Sequence, residues 1–213
     1  MEINANDLAM DKSMSAREQK RIQRIDDIIE TAASIFVRDG FAQFSARRVA
    51  SELGISLSNL QHYCGTTENL LLSMISIKIE GYVVRFRELA QAENLAPKER
   101  FLAILDEDLA ATNDSWIASF SFQVWALADH DQAVRDKIKE IYGEFCQLLT
   151  GIIREVNPRL SIEKADACST LIASQIEGLL FYNNQVRSPG NNWETICEMA
   201  KIQWLNTILS ADS

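Results

Sequence analysis

The segment from Ser45 to Tyr63 limits the fold of this chain more than any other stretch of the sequence. In its first half, apolar residues recur at intervals of three and four, which is the spacing of one apolar helix face. These residues are Ala46, Val49, Ala50 and Leu53. Ser45 is predicted to cap the helix start, because its hydroxyl can accept from a backbone N–H group. Gly54 is predicted to end the helix in the left-handed conformation.

A second short helix is predicted over residues 57–63, with Ser56 as its N-cap and Leu60 as its inward anchor. Its outward residues are Leu57, Ser58, Asn59, Gln61 and His62. Two helices joined by a Gly-containing turn, the second with a polar face, form the helix-turn-helix arrangement that binds DNA. Asn and Gln side chains can hydrogen-bond adenine, and an exposed Leu can contact a thymine methyl group. The spacing alone fits equally well a helical hairpin with a solvated polar face.

This segment belongs to a longer, gapless series of motif residues between Arg24 and Leu71. They are Ala32, Phe36, Gly40-Phe41, Val49-Ala50, Leu53-Gly54-Ile55-Ser56, Leu60, His62-Tyr63, Glu68 and Leu70-Leu71. In order and spacing, they resemble the N-terminal domain of the TetR family of one-component transcriptional regulators. Four residues depart from the family pattern. Ser58, Gln61 and Cys64 stand where Gly, an aromatic residue and Phe are usual. Thr67 replaces a frequent Lys.

The helix-turn-helix and the resemblance together imply two sets of DNA contacts. The residues expected to position the phosphate backbone are Ser45, Arg47, Arg48, Ser56, Tyr63, Thr66 and Thr67. Those expected to read or approach the bases are Leu57, Ser58, Asn59, Gln61 and His62.

Composition favours an all-α fold. The chain of 213 residues contains 3 Pro and 8 Gly, and 47% of its residues are hydrophobic, as in a packed globular protein. We predict a flexible arm over 1–15, a helix-turn-helix DNA-binding domain over 16–72, and a helical ligand-binding and dimerisation domain over 73–213. About nine helices are expected: 16–39, the two short helices, a long fourth helix to about 91, and then 98–112, 115–128, 131–155, 161–186 and 192–209.

The net charge of −9 is unusual for a DNA-binding protein, but the distribution of charge matters more than the sum. A basic cluster lies near the N-terminus and comprises Lys12, Arg17, Lys20, Arg21 and Arg24. Acidic residues concentrate downstream, as in the run from Asp106 to Asp108. A basic tip on an acidic body would direct one face to DNA. The cluster is also compatible with a solvated helix face or a flexible tail.

The second half carries looser motifs. They are Trp125-Ala126-Leu127-Ala128, Asp131, Val134-Arg135, Tyr142 and Gly178-Leu179. These resemble the ligand-binding and dimerisation domain of a TetR subgroup typified by the choline-responsive regulator of betaine synthesis. The resemblance supports the architecture and does not carry the ligand over.

Aromatic residues concentrate in the middle of the chain, with a few polar amides nearby in helix order. Amphipathic helices bury many aromatic residues as ordinary core, which is one explanation. The other is a cavity for a small, mostly apolar effector molecule. The predicted ligand-binding residues are Tyr82, Phe86, Trp116, Phe120, Gln123, Trp125, Tyr142, Phe145 and Gln175.

The last two predicted helices combine small residues with bulky apolar ones. Small residues allow close helix approach, so we predict a two-fold dimer that pairs these helices into a four-helix bundle. Packing within one chain is the alternative. The predicted interface residues are Ile172, Ile176, Gly178, Leu179, Trp193, Ile196, Ala200 and Trp204.

Enzymatic activity is not expected. The chain has 2 His and no Gly-rich phosphate loop or Gly-x-Ser-x-Gly motif, and Asp129-His130-Asp131 is better explained as a helix-start turn than as a metal site. The 4 Cys lie far apart, which predicts free thiols in a reducing cytosol and no metal or cofactor. No apolar run is long enough to span a membrane, and no signal peptide is recognised.

The sequence therefore predicts a cytoplasmic, homodimeric repressor that binds a palindromic double-stranded DNA operator and responds to a small molecule. Two rivals remain at this stage. One is an activator or a ligand-independent repressor with a filled core. The other is a helical dimer that acts through protein contacts, an idea that draws support from Ser58, Gln61 and Thr67.

Overall fold

The computed structural model describes residues 15–187 and 192–210. Over these ranges the chain forms nine α-helices and no strand, which confirms the predicted all-α fold. The helices are α1 Ala16–Asp39, α2 Ala46–Glu52, α3 Leu57–Cys64, α4 Thr67–Ala90, α5 Pro97–Ala111, α6 Ser115–Ala128, α7 Gln132–Val156, α8 Ile162–Phe181 and α9 Trp193–Ser210. Apart from Ser15, the predicted N-terminal arm lies outside the described residues, as does Lys12 of the basic cluster.

The helices group into two compact units. The first comprises the chain up to Tyr82 together with Ser119–Ile141, and the second comprises Val83–Ala118 together with Tyr142–Ser213. The predicted domain boundary after residue 72 stays a prediction.

In the first unit, α1 provides the central apolar face. Ser15 caps its start in a reciprocal arrangement, because the Ser15 hydroxyl accepts from the Glu18 backbone while the Glu18 carboxylate accepts from the Ser15 backbone. Gly40 ends the helix with a φ of 80°, a conformation that favours glycine. The predicted apolar stripe is confirmed, since all of its members are buried: Ile22, Ile25, Ile29, Ala32, Ala33 and Phe36.

The predicted local signals of the helix-turn-helix are also confirmed. The Ser45 hydroxyl accepts from the Arg48 backbone at the start of α2, and the Ser56 hydroxyl accepts from the Asn59 backbone at the start of α3. Gly54, in the turn between them, has a φ of 65°. Leu60 is completely buried, so it anchors α3 as predicted.

The second unit is built around an apolar core shared by α5, α7, α8 and α9. Fully buried side chains from these helices include Phe101, Ile104, Leu105, Leu149, Ile153 and Ile208. Asn157 follows α7 and donates through its side-chain amide to the Ile208 carbonyl at 2.8 Å, which fixes the C-terminal end of α9.

One predicted helix ends earlier than expected. The sequence indicated a helix over 161–186, whereas α8 ends at Phe181 and continues as a π-helical turn, Tyr182–Val186. The amides of Asn183 and Asn184 both donate to the Thr112 carbonyl, and Asn184 also donates to the Leu180 carbonyl. Side-chain bonds of this kind compete with the regular helical pattern.

Candidate functional site

The outer side of α3 presents a polar face. Ser58, Asn59, Gln61 and His62 are exposed, while Leu57 at the start of the helix is half-buried. On the inner side, Leu60 and Cys64 are completely buried and anchor the helix through apolar contacts. Burial raises the pKa of the Cys64 thiol to about 11, which keeps it neutral and suits its role as a small apolar side chain. The polar side chains of the outer face are therefore exposed to an external partner, although the Ser58 hydroxyl also shares a hydrogen bond with the Ser56 hydroxyl at 3.1 Å.

The hydroxyl residues predicted to contact phosphates stand at helix starts. Ser45, Ser56 and Thr66 each accept a hydrogen bond from a backbone N–H three residues later. Thr67 accepts at 3.4 Å from the backbone N–H of Ala46, which joins the starts of α2 and α4. A hydroxyl that accepts in this way can still donate its own proton. Capping a helix and binding a phosphate are thus compatible for these residues.

A basic groove lies between the N-terminal turns of α1 and the C-terminal end of α3. Its volume is about 720 Å³, and its lining residues are Ser15, Ala16, Arg17, Glu18, Lys20, Arg21, His62 and Tyr63. The His62 and Tyr63 rings meet edge-to-face, with centroids 5.5 Å apart. The sequence suggested only that the basic cluster could steer the chain toward DNA. The structure brings three of its members beside two predicted DNA-contacting residues.

The acid within this groove is already engaged. Glu18 accepts hydrogen bonds from the Ser15 hydroxyl and backbone, and these bonds lower its pKa below the ordinary value. Its carboxylate is therefore tied to the start of α1, where negative charge suits the helix dipole. Arg17, Lys20 and Arg21 are exposed, so the groove presents net positive charge to solvent.

The two arginines of α2 differ in their surroundings. Arg47 is exposed, whereas an Arg48 guanidinium N–H donates to the Asp39 carboxylate at 2.6 Å. Asp39 also accepts from Arg38 at 2.8 Å, and Arg38 reaches Glu52 at 3.1 Å. The hydrogen bond from Arg38 is the main cause that lowers the pKa of Asp39 below its ordinary value. The Arg48 side chain is thus held in an ion pair within the protein.

The second unit contains a different kind of cluster, formed by three helices. Phe86 of α4 and Phe145 of α7 pack with centroids 5.1 Å apart, and both are buried. Nearby in sequence on α7, the Tyr142 hydroxyl donates to the Glu177 carboxylate of α8. Of the predicted ligand residues, these three lie together in the second unit.

Two carboxylates that the prediction missed lie in the same unit, and we call Asp108 of α5 and Glu177 of α8 the acid pair. Burial is the main cause that raises the pKa of both, and the charge of Glu177 raises that of Asp108 further, to about 7. Protein atoms surround Asp108 on most sides, although its accessible surface is intermediate. Within the described chain, neither carboxylate forms an ion pair at 4 Å or less with a basic side chain.

The sequence contains a signal for one member of the acid pair, Asp108. Asp108 lies four residues after Ile104 and three after Leu105, on the buried side of α5, whereas its acidic neighbours Asp106 and Glu107 are exposed. A carboxylate at an apolar stripe position costs stability unless something compensates it. That position distinguishes Asp108 from an ordinary surface acid.

The other predicted ligand residues lie elsewhere. Phe120 is buried against Phe36 in the first unit, and the Gln123 amide donates to the Val37 carbonyl there. Trp125 packs on Phe122, with centroids 5.7 Å apart. The remaining three are exposed Tyr82, half-buried Trp116 and exposed Gln175, whose oxygen accepts from the Trp204 indole.

The residues predicted for the dimer interface divide into two groups. Ile172, Ile176, Trp193 and Trp204 are buried by their own chain, with 2 to 7% of their surface exposed. Gly178 is exposed, and Leu179, Ile196 and Ala200 are half-buried. Other large apolar residues of α8 and α9 are exposed, namely Ile162, Leu171, Phe181, Met199, Ile202 and Leu209.

The described ranges contain no group of three or more side chains suited to hold a metal ion. Among the described helices, none combines the length and the apolar character needed to cross a bilayer.

Comparison with known proteins identifies transcriptional regulators. The HTH-type transcriptional regulator PksA of Bacillus subtilis (strain 168) is 33% identical over 103 residues, which are 48% of either protein. The chain therefore spans about half the length of this relative. The HTH-type transcriptional regulator BetI of Vibrio vulnificus (strain YJ016) is 24% identical over 158 residues, or 73% of this chain and 78% of that protein. No protein-family model matches the sequence.

Solved structures share the fold over nearly the whole chain. A TetR transcriptional regulator from Legionella pneumophila has a TM-score of 0.65 and 17% identity, covering 92% of this chain and 99% of that one. A regulator from Saccharomonospora viridis, solved in complex with choline, has a TM-score of 0.67 and 20% identity, covering 88% of this chain and 96% of that one. At these identities, the structural matches establish the fold.

Proposed function

We propose that this chain, which shares its fold with a TetR transcriptional regulator and part of its sequence with the regulator PksA, is a TetR-type, cytoplasmic, homodimeric repressor released from a palindromic operator by a small molecule. The observation that carries this proposal is the exposed polar face of α3 beside the basic groove. Asn59 and Gln61 have the side chains that bond adenine bidentately in the major groove. Arg17, Lys20 and Arg21 supply charge for neighbouring phosphates, which fixes position without reading sequence.

The dimer that we propose forms through α8 and α9. Leu171 and Gly178 on α8, and Met199 and Ile202 on α9, are exposed and mostly apolar, which favours burial against a second copy. The buried members of the predicted set would support this surface from within the chain. A two-fold dimer presents two α3 helices to half-sites that are one or more helical turns apart.

We propose that the effector binds in the second unit near Tyr142, Phe86, Phe145 and the acid pair. The aromatic side chains suit a small, mostly apolar molecule, as the sequence indicated. Two enclosed carboxylates without a basic partner favour a molecule that also carries positive charge. The choline bound to the Saccharomonospora viridis regulator supports this class of ligand. Release from DNA requires that the effector bind the two conformations with different affinity.

Selection from a pool of random duplex DNA, at low and high salt, tests the proposal. We expect a palindrome to be enriched and its binding to weaken steeply as salt rises, because phosphate contacts release counterions. Asn59→Ala and Gln61→Ala should each cost about 1–3 kcal/mol of operator binding. Gln43→Ala, an exposed position outside α3, is the matched control. A pool without enrichment, with and without metabolite extract, would contradict the proposal.

Thermal shift with choline tests the effector class. We expect choline to raise the Tm, and its uncharged analogue 3,3-dimethylbutan-1-ol to do so less, because only choline can pair with a carboxylate. Glu177→Gln should reduce the choline effect, whereas Glu107→Gln, on the exposed side of α5, should leave it unchanged. Equal shifts with both probes would speak against a cationic effector and leave the apolar one.

A further inference from the structure

The C-terminal end of α1 is completed by a side chain that comes from far along the sequence. Val37 is among the last four residues of α1, whose carbonyls have no partner further along the helix. The Gln123 side-chain amide of α6 donates to the Val37 carbonyl at 3.2 Å. The oxygen of the same amide lies 3.7 Å from the position that a Cβ on Gly40 would occupy. The amide therefore lies directly against the turn that follows α1.

A second contact from α6 reaches the same connection. Phe120, one turn before Gln123, packs edge-to-face on Phe36 with centroids 5.7 Å apart, and only 4% of its surface is exposed. Phe36 in turn packs on Phe44 with centroids 6.0 Å apart. Phe44 immediately precedes Ser45, the N-cap of α2. The two α6 side chains thus contact the last turn of α1, and Phe36 extends this packing to Phe44 before α2.

The last residue of α1, Asp39, forms an ion pair with Arg48 of the helix-turn-helix. Asp39, two residues after Val37, accepts from Arg48 at 2.6 Å and from Arg38 at 2.8 Å. The side chain of Asp39 is only 22% exposed, so its position follows that of the backbone at the end of α1. Arg48 is thereby paired with a carboxylate that lies two residues after the carbonyl bonded by Gln123.

We propose that Gln123 is a positioning residue for DNA binding, which acts by fixing the end of α1 so that Asp39 directs Arg48 to a phosphate. The proposal rests on the proposed DNA-binding function and adds a residue outside the helix-turn-helix to it. Phe120 provides the apolar part of the same support, and Gln123 provides the directional part, because a hydrogen bond depends on orientation.

A double-mutant cycle on the selected palindromic duplex tests this role. Gln123→Leu and Gln123→Glu both remove the donor to Val37, and Gln123→Glu keeps the side-chain length. We expect each to weaken binding by about tenfold and to lower the slope of log affinity against log salt by about one, as loss of one phosphate contact does. Arg48→Ala should have the same effect, and its combination with Gln123→Leu should add little more.

The matched control is Gln132→Leu, which removes exposed amide hydrogen bonds to Asp136 and from Arg135 in the same unit. We expect it to leave affinity and salt slope unchanged. A purely structural role for Gln123 would lower the Tm, leave the salt slope of the folded protein intact and make the double mutant additive, and that result would overturn the proposal. Wild-type protein that binds no duplex would overturn this role together with the proposed function, whereas an additive cycle overturns this role alone.

Discussion

The two compact units hold their ionisable groups in opposite surroundings. In the first unit, Arg17, Lys20 and Arg21 are exposed around the basic groove. In the second unit, Asp108 and Glu177 are enclosed among apolar helices. Exposed charges attract a polyanion over several ångströms and are weakened by salt. Enclosed carboxylates act at short range and discriminate by the charge and size of what enters. The difference matches the two binding modes that we propose for this chain, one for DNA and one for a small molecule.

The largest effect is expected on the folding stability of the first unit, at a buried residue of α3 rather than at an exposed one. Leu60→Ala removes a completely buried anchor of α3 and should lower the free energy of unfolding by about 2–5 kcal/mol. Asn59→Ala, the exposed neighbour, should change it by less than about 0.5 kcal/mol. Urea denaturation of both variants checks the contrast. Similar losses in the two variants would mean that the polar face of α3 is part of the packing.

The next effect concerns the acid pair and depends on pH. The pKa of Asp108 is raised to about 7 in the folded protein from an ordinary value of 3.8, so the folded state holds a proton that the unfolded state loses. Stability should therefore fall as pH rises from about 4 to 7 and then level off. Asp108→Asn should stabilise the protein at pH 8 by about 1–3 kcal/mol and leave it unchanged near pH 4.

Thermal unfolding of Asp108→Asn across this pH range measures the effect. Glu107→Gln on the exposed side of α5 serves as control and should follow the wild-type curve. Parallel curves for wild type and Asp108→Asn would show that Asp108 is solvated like a surface group. In that case Glu177 alone would remain as the enclosed carboxylate that distinguishes the second unit from the first.

A smaller effect on stability is expected at Gln175 in the second unit, and it tests whether this residue supports the fold or binds the effector. The Gln175 oxygen accepts from the Trp204 indole, and Trp204 is buried. Gln175→Leu should cost about 1 kcal/mol of stability, because the indole N–H loses its acceptor. Choline binding, followed by calorimetry, should be unaffected. A change in binding without a change in stability would return Gln175 to the effector site, where the sequence placed it.

The smallest effect on folding is expected at the basic groove. Arg21→Ala removes an exposed charge, so the free energy of unfolding should change by less than about 0.5 kcal/mol. Its operator binding should weaken to a similar extent on every DNA sequence, with the salt slope reduced by about one. Titrations at several salt concentrations measure the slope. A sequence-dependent loss would indicate that Arg21 reads a base.

Much of the first unit could be predicted because its signals are local. Caps such as Ser45 and Ser56, and the turn at Gly54, depend on neighbouring residues, and the stripe of α1 depends on helix period. The tertiary partners of Gln123 and Phe120 were not predictable in this way. Both residues fit an aromatic, amide-containing cluster by helix order, but their partners lie more than 80 residues earlier in the chain.

The second unit was predictable in its helices and much less so in its interior. Helix period does not tell whether an apolar residue such as Trp193 or Trp204 packs on its own chain or on another, and both are buried within this one. The acid pair was missed because charged residues are assigned to the surface by default. Asp108 is an exception to that default, and its place on the apolar stripe with Ile104 and Leu105 is the sequence signal that marks it.

The way α3 is attached has a consequence for how such a protein can change over generations. Leu60 and Cys64 hold the helix from within and Ser56 caps its start by accepting from a backbone N–H group. The exposed side chains of Asn59 and Gln61 are not needed for that attachment. Substitutions on the outer side can accumulate almost neutrally with respect to folding. Under the proposed function, a duplicated copy of the gene can therefore acquire a new operator while it inherits a working scaffold unchanged.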